Sequence, residues 1–190
     1  MLPYIIINVA MSLNGKISSK AGSYKISSSN DMKRVMKIRK SVDAVLVGAN
    51  TVVIDDPLLK GSANRIVLDG QFKMSEKFRI FDGSINTYIF SQKDKNIPGA
   101  RTVMINSTDI MRIMEKACDL GMKRILVEGG SNVILQFLKA KLFNEFYIYL
   151  NPGLLLSGKS LFPDLDIIDI DYTITALNRG ILLSIKSIHI

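Results

Sequence analysis

Short apolar runs alternate with helix-patterned stretches through the first three quarters of the chain, and this alternation constrains the fold more than any other feature. "YIIINVAM" (Tyr4 to Met11) is almost wholly apolar, which implies a strand covered on both faces. "DAVLVG" (Asp43 to Gly48), "RIVLD" (Arg65 to Asp69), "NTYIF" (Asn86 to Phe90), "RTVMI" (Arg101 to Ile105) and "RILVE" (Arg124 to Glu128) read as further strands. Helices are predicted between several of them. One starts near Ser28 or Ser29, carries Asp31 in its first turn and runs to about Lys40. "ANTVVIDDPLL" makes a short helical turn stopped at Pro57. Ser107 is the expected N-cap of a helix with Ile110, Ile113, Met114, Ala117 and Cys118 inward, closed by Gly121. The last helix spans Ser131 to Lys141, with Val133, Ile134, Phe137 and Leu138 inward. After it, "EFYIYL", "DYTITALN" and "ILLSIKSIHI" are strands with no helix between them. Strands joined through helices run parallel, whereas consecutive strands pair antiparallel. The expected fold is therefore α/β: a central, mostly parallel sheet with flanking helices and a C-terminal antiparallel hairpin. No repeat or linker interrupts residues 1–190, which read as one domain.

Composition narrows the function. With 47% apolar residues, the chain can bury a substantial core, which excludes disordered classes. The net charge of +8 is not gathered into basic blocks or interleaved with aromatics, so it points to a small phosphorylated ligand and away from nucleic acid. One Cys and one His exclude an intrachain disulfide and Cys/His zinc sites, and no metal is expected. Cys118 reads as a core residue and His189 as structural. The N-terminal apolar run lacks a preceding basic region and is shorter than a membrane span. A cytoplasmic protein with no membrane partner is the expectation.

The chemistry concentrates at "RILVEGGSNVILQFL", Arg124 to Leu138. A strand that ends in Gly129–Gly130 and turns into a helix presents free backbone N–H groups and the positive end of the helix dipole. Phosphate binds there, and glycine lets it approach the backbone. A plain tight turn explains the glycines equally well. It does not explain Glu128, because a carboxylate at the end of a buried strand is costly unless paired or bound to something. Ligands of open α/β sheets sit outside the carboxyl ends of the strands, which places Glu128 and the glycines at a common cleft. "GLLLSGKS" (Gly153 to Ser160) matches the P-loop pattern letter for letter, yet it holds three leucines and is followed by Pro163, so it is not read as one. Asp55 and Asp56 form a carboxylate pair near the same strand ends, with Thr51 just upstream.

"MSLNGKIS", "GSYKISS", "VGANTVVIDDP", "RIVLD", "LVEGG" and "YLNPGLLLSGKSLF" occur in that order. Together they resemble the riboflavin-biosynthesis pyrimidine reductases. These include the stand-alone diaminopyrimidine reductases of archaea and fungi and the C-terminal domain of the bifunctional bacterial deaminase-reductase. The resemblance implies a dihydrofolate-reductase-like fold, a homodimer, and NADPH as cofactor, with NADH possible. It implies reduction of the ribosyl group of 2,5-diamino-6-ribosylamino-4(3H)-pyrimidinone 5′-phosphate to the ribityl form. The zinc motif of a deaminase is absent, which favours the diamino substrate. By resemblance Ser23, Arg39, Leu59 and Glu128 contact substrate, with Arg39 on the 5′-phosphate, and Glu128 and Asp55 are the catalytic candidates. Ala10, Lys16, Ile17, Ser18, Ser19, Lys25, Thr51, Asp55, Gly129, Gly130, Ser131, Asn132, Val133 and Ile134 fall on cofactor-lining positions.

Three positions depart from the family pattern. Asn14 replaces the Asp of the usual Leu-Asp-Gly. An Arg expected after Leu59 is missing, with Lys60 or Arg65 as substitutes. Gly70 stands where a Ser often follows "VLD". Ser91 and Lys93 are candidates for a cofactor 2′-phosphate. Two rival readings share the fold: a dihydrofolate-reductase-type enzyme, for which no Trp or pteridine-binding acidic helix is found, and a non-catalytic nucleotide-binding regulator.

Overall fold

A computed structural model describes residues 1–18, 24–162 and 169–189. Its elements follow the predicted order. They are β1 (Tyr4–Ser12), α1 (Ser29–Lys40), β2 (Ala44–Gly48), α2 (Ala49–Asp55), β3 (Asn64–Leu68), β4 (Asn86–Ser91), β5 (Arg101–Met104), α3 (Ile110–Asp119), β6 (Arg124–Gly129), α4 (Ser131–Lys139), β7 (Glu145–Asn151), β8 (Asp169–Ala176) and β9 (Ile181–His189). A 3-10 turn at Arg79–Phe81 has no sequence signal. Among the described residues the strands form one sheet, in the order β5-β4-β3-β2-β6-β1-β7-β9-β8. The first seven in that order run parallel. Strand β9 pairs antiparallel with β7, and β8 closes the edge as the second arm of a hairpin. The expected mostly parallel sheet with a C-terminal antiparallel hairpin is observed.

The apolar runs are continuous because the sheet is the middle of three layers. On one face Ile5, Ile7 and Val127 pack with Ile110 and Met114 of α3 and Ile134 and Phe137 of α4. On the other, Ile6, Val45, Val47 and Leu126 pack with Val52 of α2, Ile80 and Phe81. Alternate residues of β1 and β6 thus face opposite cores, as strand geometry requires. Two helix boundaries differ from expectation. The cap of α3 is Asp109, whose carboxylate accepts from Met111 N, while Ser107 Oγ accepts from Asp109 N at 3.0 Å. Ser107 thus shapes the turn before the helix, and the residue two positions later caps it. Helix α4 ends at Lys139, and Lys141 sits at φ 50°, a left-handed conformation that stops it.

One irregularity shapes the site. Strands β2 and β6 stay in register to Leu46 opposite Val127, and then Val47 pairs with Gly129. Glu128 is the skipped residue, a β-bulge at the strand's end. Bulges re-aim side chains and end pairing. Gly129 adopts φ +141°, which side-chain-bearing residues rarely visit. Gly48, opposite on β2, lies so close to α4 that a Cβ there would meet Val133 Cγ2 at 2.8 Å. The two glycines let the start of α4 settle against the ends of β2 and β6.

Candidate active site

The carboxyl ends of the central strands open into a cleft of about 980 Å³. Its floor is formed by β1 and β6, and its walls by α1, α2, the start of α4 and the segments after β3 and β4. This is the strand end at which open parallel sheets bind ligands.

Glu128 lines the cleft, and its carboxylate is gripped by Arg39 from α1. Arg39 Nε donates to Oε1 at 2.8 Å and Nη2 to Oε2 at 2.6 Å. Both side chains are largely buried, at 15% and 10% exposure. A fork-to-carboxylate pair of this kind is the strong form of ion pair, and it fixes the plane of the carboxylate. The remaining Arg39 nitrogen, Nη1, donates to Lys60 O at a long 3.3 Å. Arg39 thus turns most of its donors to Glu128, a pairing invisible in the sequence because 89 residues separate the partners.

The glycine corner meets α2. Gly130 N donates to Thr51 Oγ1 at 2.9 Å, and no side chain caps α4. The Ser131 and Asn132 N–H groups, first in the helix, have no protein acceptor among the described residues. They supply the open donors and dipole end that an anion requires. Ser131 is fully buried, its hydroxyl is unpartnered, and it does not line the cleft. Asn132, Val133 and Ile134 do.

The Asp55–Asp56 pair divides its roles. Asp56, in the left-handed C-cap of α2, accepts from Arg79 N at 2.7 Å and pins the following loop. Asp55 lines the cleft. Its carboxyl reaches solvent on one side and is crowded on the other, and this partial desolvation raises its pKa above the ordinary value of 3.8.

The other sequence candidates are distributed unevenly. Ala10, Ile17, Ser18 and Lys25 line the cleft. Lys16 does not; its ammonium donates to Ser160 Oγ at 2.9 Å. Leu59 is 5% exposed in the core beneath α2 and is not a lining residue. Ser19 and Ser23 lie outside the described residues. Arg65 is no substitute for the missing arginine, because it is fully buried and bound to Ile80 O, Asp82 and Ser84. Ser91 is likewise fully buried, with its hydroxyl serving Lys93 N and Gly70 O. Lys73, Gln71 and Gln92 line the wall after β3 and β4 instead, with Lys73 Nζ 3.4 Å from Asn50 Oδ1. Asn14 stands away from the cleft and makes both halves of a backbone-like pair with Leu155, donating to its O at 2.9 Å and accepting from its N at 3.1 Å. Gly153–Ser160 is no phosphate loop: Leu154 and Leu156 are exposed and no helix follows among the described residues. No group of three or more His, Cys, Asp or Glu suited to a metal occurs among the described residues, and none of their helices is long and apolar enough to cross a membrane.

Residues 3–183 match the RibD C-terminal domain family. The chain belongs to that family. It is 31% identical to the 2,5-diamino-6-ribosylamino-4(3H)-pyrimidinone 5′-phosphate reductase of Methanothermobacter thermautotrophicus over 80% of this chain and 79% of that protein. It is 27% identical to the Archaeoglobus fulgidus protein of the same name over 80% of this chain and 81% of that one. Against the riboflavin biosynthesis protein RibD of Aquifex aeolicus it is 28% identical but spans only 49% of that protein's length. Among solved structures, the riboflavin biosynthesis reductase of Saccharomyces cerevisiae superposes with a TM-score of 0.83 at 21% identity, covering 97% of this chain and 90% of that one. Dihydrofolate reductase from Enterococcus faecalis superposes with a TM-score of 0.58 at 14% identity, covering 98% and 95%. The fold is dihydrofolate-reductase-like, as expected.

Proposed function

We propose that the RibD C-terminal domain formed by residues 1–190 is an NADPH-dependent reductase. Its substrate is 2,5-diamino-6-ribosylamino-4(3H)-pyrimidinone 5′-phosphate, and the ribosyl group is reduced to ribityl. The observation that carries this reading is the juxtaposition in one cleft of an Arg39-oriented carboxylate and an open helix N-terminus behind two glycines. The names of the archaeal relatives, which the chain matches over about four fifths of their length, supply the substrate.

The cleft suits a dinucleotide beside a second ligand. Its volume is at the upper end of the roughly 300–1,000 Å³ usual for ligand pockets. The Asn132 N–H group at the start of α4 would hold the pyrophosphate, and the absence of a Cβ at Gly129 and Gly130 lets it approach. Lys73 would meet a 2′-phosphate and favours NADPH over NADH. When bound, the cofactor supplies the hydride that reduces ribosyl C1′.

The chain's own residues position and protonate. Glu128 accepts hydrogen bonds from the amino groups of the pyrimidine, its plane set by Arg39. Arg39 Nη1, weakly engaged with Lys60, is the donor available to the 5′-phosphate. Asp55, its pKa raised, retains a proton to higher pH than an ordinary carboxyl and is the proposed donor to the sugar-side nitrogen and oxygen. A homodimer is proposed on the exposure of Tyr172 and Ile174 along the edge strand β8. The regulator reading rests on Asn14 and on the missing Arg after Leu59; Asn14 ties its loop to Leu155 outside the cleft, which leaves the missing Arg as the departure that supports that reading.

Purified protein mixed with NADPH and the diamino substrate should lose nicotinamide absorbance with formation of the ribityl product. Turnover with dihydrofolate in place of the pyrimidine would establish the rival enzyme. Cofactor binding with no turnover on either would establish the regulator.

A further inference from the structure

An ion pair on α1, the helix that walls the cleft, has no part in the proposed chemistry. Asp31, in the first turn of α1, is fully buried, and its Oδ1 accepts from Arg34 Nε at 3.0 Å and Nη2 at 2.7 Å. Arg34 Nη2 also donates to Asn8 Oδ1 at 2.5 Å. The guanidinium lies 5.5 Å from the ring centroid of Tyr147, which stands opposite Asn8 across β1 and β7. The Tyr147 hydroxyl is turned to Glu145 Oε2 at 2.5 Å, so it does not compete for Arg34. Arg34 is therefore fixed by a carboxylate, an aromatic face and an amide oxygen at once.

Stability does not account for this arrangement. Buried ion pairs are often matched or bettered by apolar residues of the same volume, because both charges must be desolvated. Here Asp31 Oδ2 and Arg34 Nη1 are buried with no hydrogen-bond partner, so the pair is incompletely compensated. Its definite product is a direction for Asn8. With Oδ1 held by Arg34, the amide turns Nδ2 away from the ion pair. That nitrogen has no acceptor among the described residues, and Asn8 lines the cleft. The last registered pair of β1 and β6 is Ile7 with Val127, and the residues that follow, Asn8 and Glu128, both line the cleft.

We propose that Arg34, anchored by Asp31, is a positioning residue that locks the Asn8 amide with its N–H donor toward the cleft beside the Glu128 carboxylate. A heterocycle bound there meets a fixed donor and a fixed acceptor side by side. The kinetic consequence rests on the pyrimidine-reductase reading, and the geometry does not.

The test is the double variant Asp31→Leu/Arg34→Met, which removes both charges together and leaves neither buried alone. The Asn8 side-chain NH₂ signals, assigned by comparison with Asn8→Ala, report the amide directly by ¹⁵N relaxation in the ligand-free protein. They should be ordered in the wild type and averaged in the double variant. The pyrimidine KM should rise about tenfold, the worth of one fixed hydrogen bond, while the NADPH KM moves less than about twofold. An amide equally ordered in both proteins, or a pyrimidine KM unchanged in a folded variant, overturns the proposal. If the double variant does not fold, Arg34→Lys decides. It keeps a counter-charge for Asp31 but has no fork that can bind Asp31 and Asn8 together, so an Asn8 amide as ordered as in the wild type overturns the proposal and an averaged one upholds it. A wild type without turnover on this substrate sinks the functional reading alone and leaves the relaxation comparison to settle the positioning role.

Discussion

Replacing Glu128 by Gln should separate the two tasks assigned to its carboxylate. Gln is nearly isosteric, so packing is preserved. Its amide can accept one hydrogen bond from Arg39, but its NH₂ would then face the second Arg39 donor, where Nη2 now donates at 2.6 Å. One charge-assisted bond is lost, worth about 1.5–3 kcal/mol. The Arg39 charge, at 15% exposure, is left without its counterion. Fully buried pairs cost about 3–5 kcal/mol when broken this way. Residual solvent access on both partners brings the expectation here to about 2–3 kcal/mol. For a chain of this size that is a fall in Tm of roughly 4–12 °C. On the substrate side, a neutral amide accepts more weakly from the pyrimidine amines, and the pyrimidine KM should rise about 10- to 100-fold. The NADPH KM should stay within about twofold, because the helix-end donors are untouched. Thermal melts and steady-state nicotinamide absorbance on the same preparations measure both effects. A lowered Tm with an unchanged pyrimidine KM would show that Glu128 serves Arg39 alone and would refute the substrate assignment. An unchanged Tm would refute the bidentate pair.

Thr51→Val removes the acceptor of Gly130 N–H; a loss of about 1 kcal/mol and a Tm fall of roughly 2–4 °C are expected, with a raised NADPH KM in the same assay. Asp55→Asn should abolish the proposed proton delivery and lower kcat, yet raise Tm at neutral pH. The raised folded-state pKa means that ionisation costs stability as pH rises through it, so the Tm gain should vanish below the ordinary carboxyl value of 3.8. Lys73→Ala should raise the NADPH KM about tenfold and leave that for NADH unchanged; equal effects on both would remove Lys73 from the 2′-phosphate. Asn14→Asp loses the donor to Leu155 O, so Tm should fall by about 2–4 °C for about 1 kcal/mol while both KM values hold.

Strands β1 to β4 and β6 were legible because each is apolar on both faces, and only a three-layer α/β arrangement covers such runs. Glu128 was legible for the same reason, as a charge that a buried strand cannot accommodate without a partner. Asn8 carries the same signal within "YIIINVAM", and an isolated polar residue there was open to the same argument. Its partner was half legible, since Asp31 and Arg34 stand three apart on one helix face. What no local pattern conveys is which distant groups meet. Arg39 and Glu128 come together only when α1 lies across β6, and Arg65 looks like a ligand for phosphate until its three partners at residues 80, 82 and 84 enclose it. The bulge at Glu128 was also hidden, because two glycines permit a tight turn and a register shift alike.

The sheet's two cores divide the labour. The face toward α3 and α4 is apolar throughout its cluster, from Ile5 to Ile185. The opposite face carries an apolar cluster too, but α1 brings Arg34 to Asn8 of β1 and Arg39 to Glu128 of β6, with Asp31 holding Arg34. Desolvating these groups opposes folding, so the first face must supply a surplus of burial that the second does not. It follows that apolar truncations under α4, such as at Phe137 or Leu138, should destabilise without altering substrate selectivity. Changes to the polar groups of α1 should alter substrate selectivity as well, because Arg34 and Arg39 there hold Asn8 and Glu128 at the cleft.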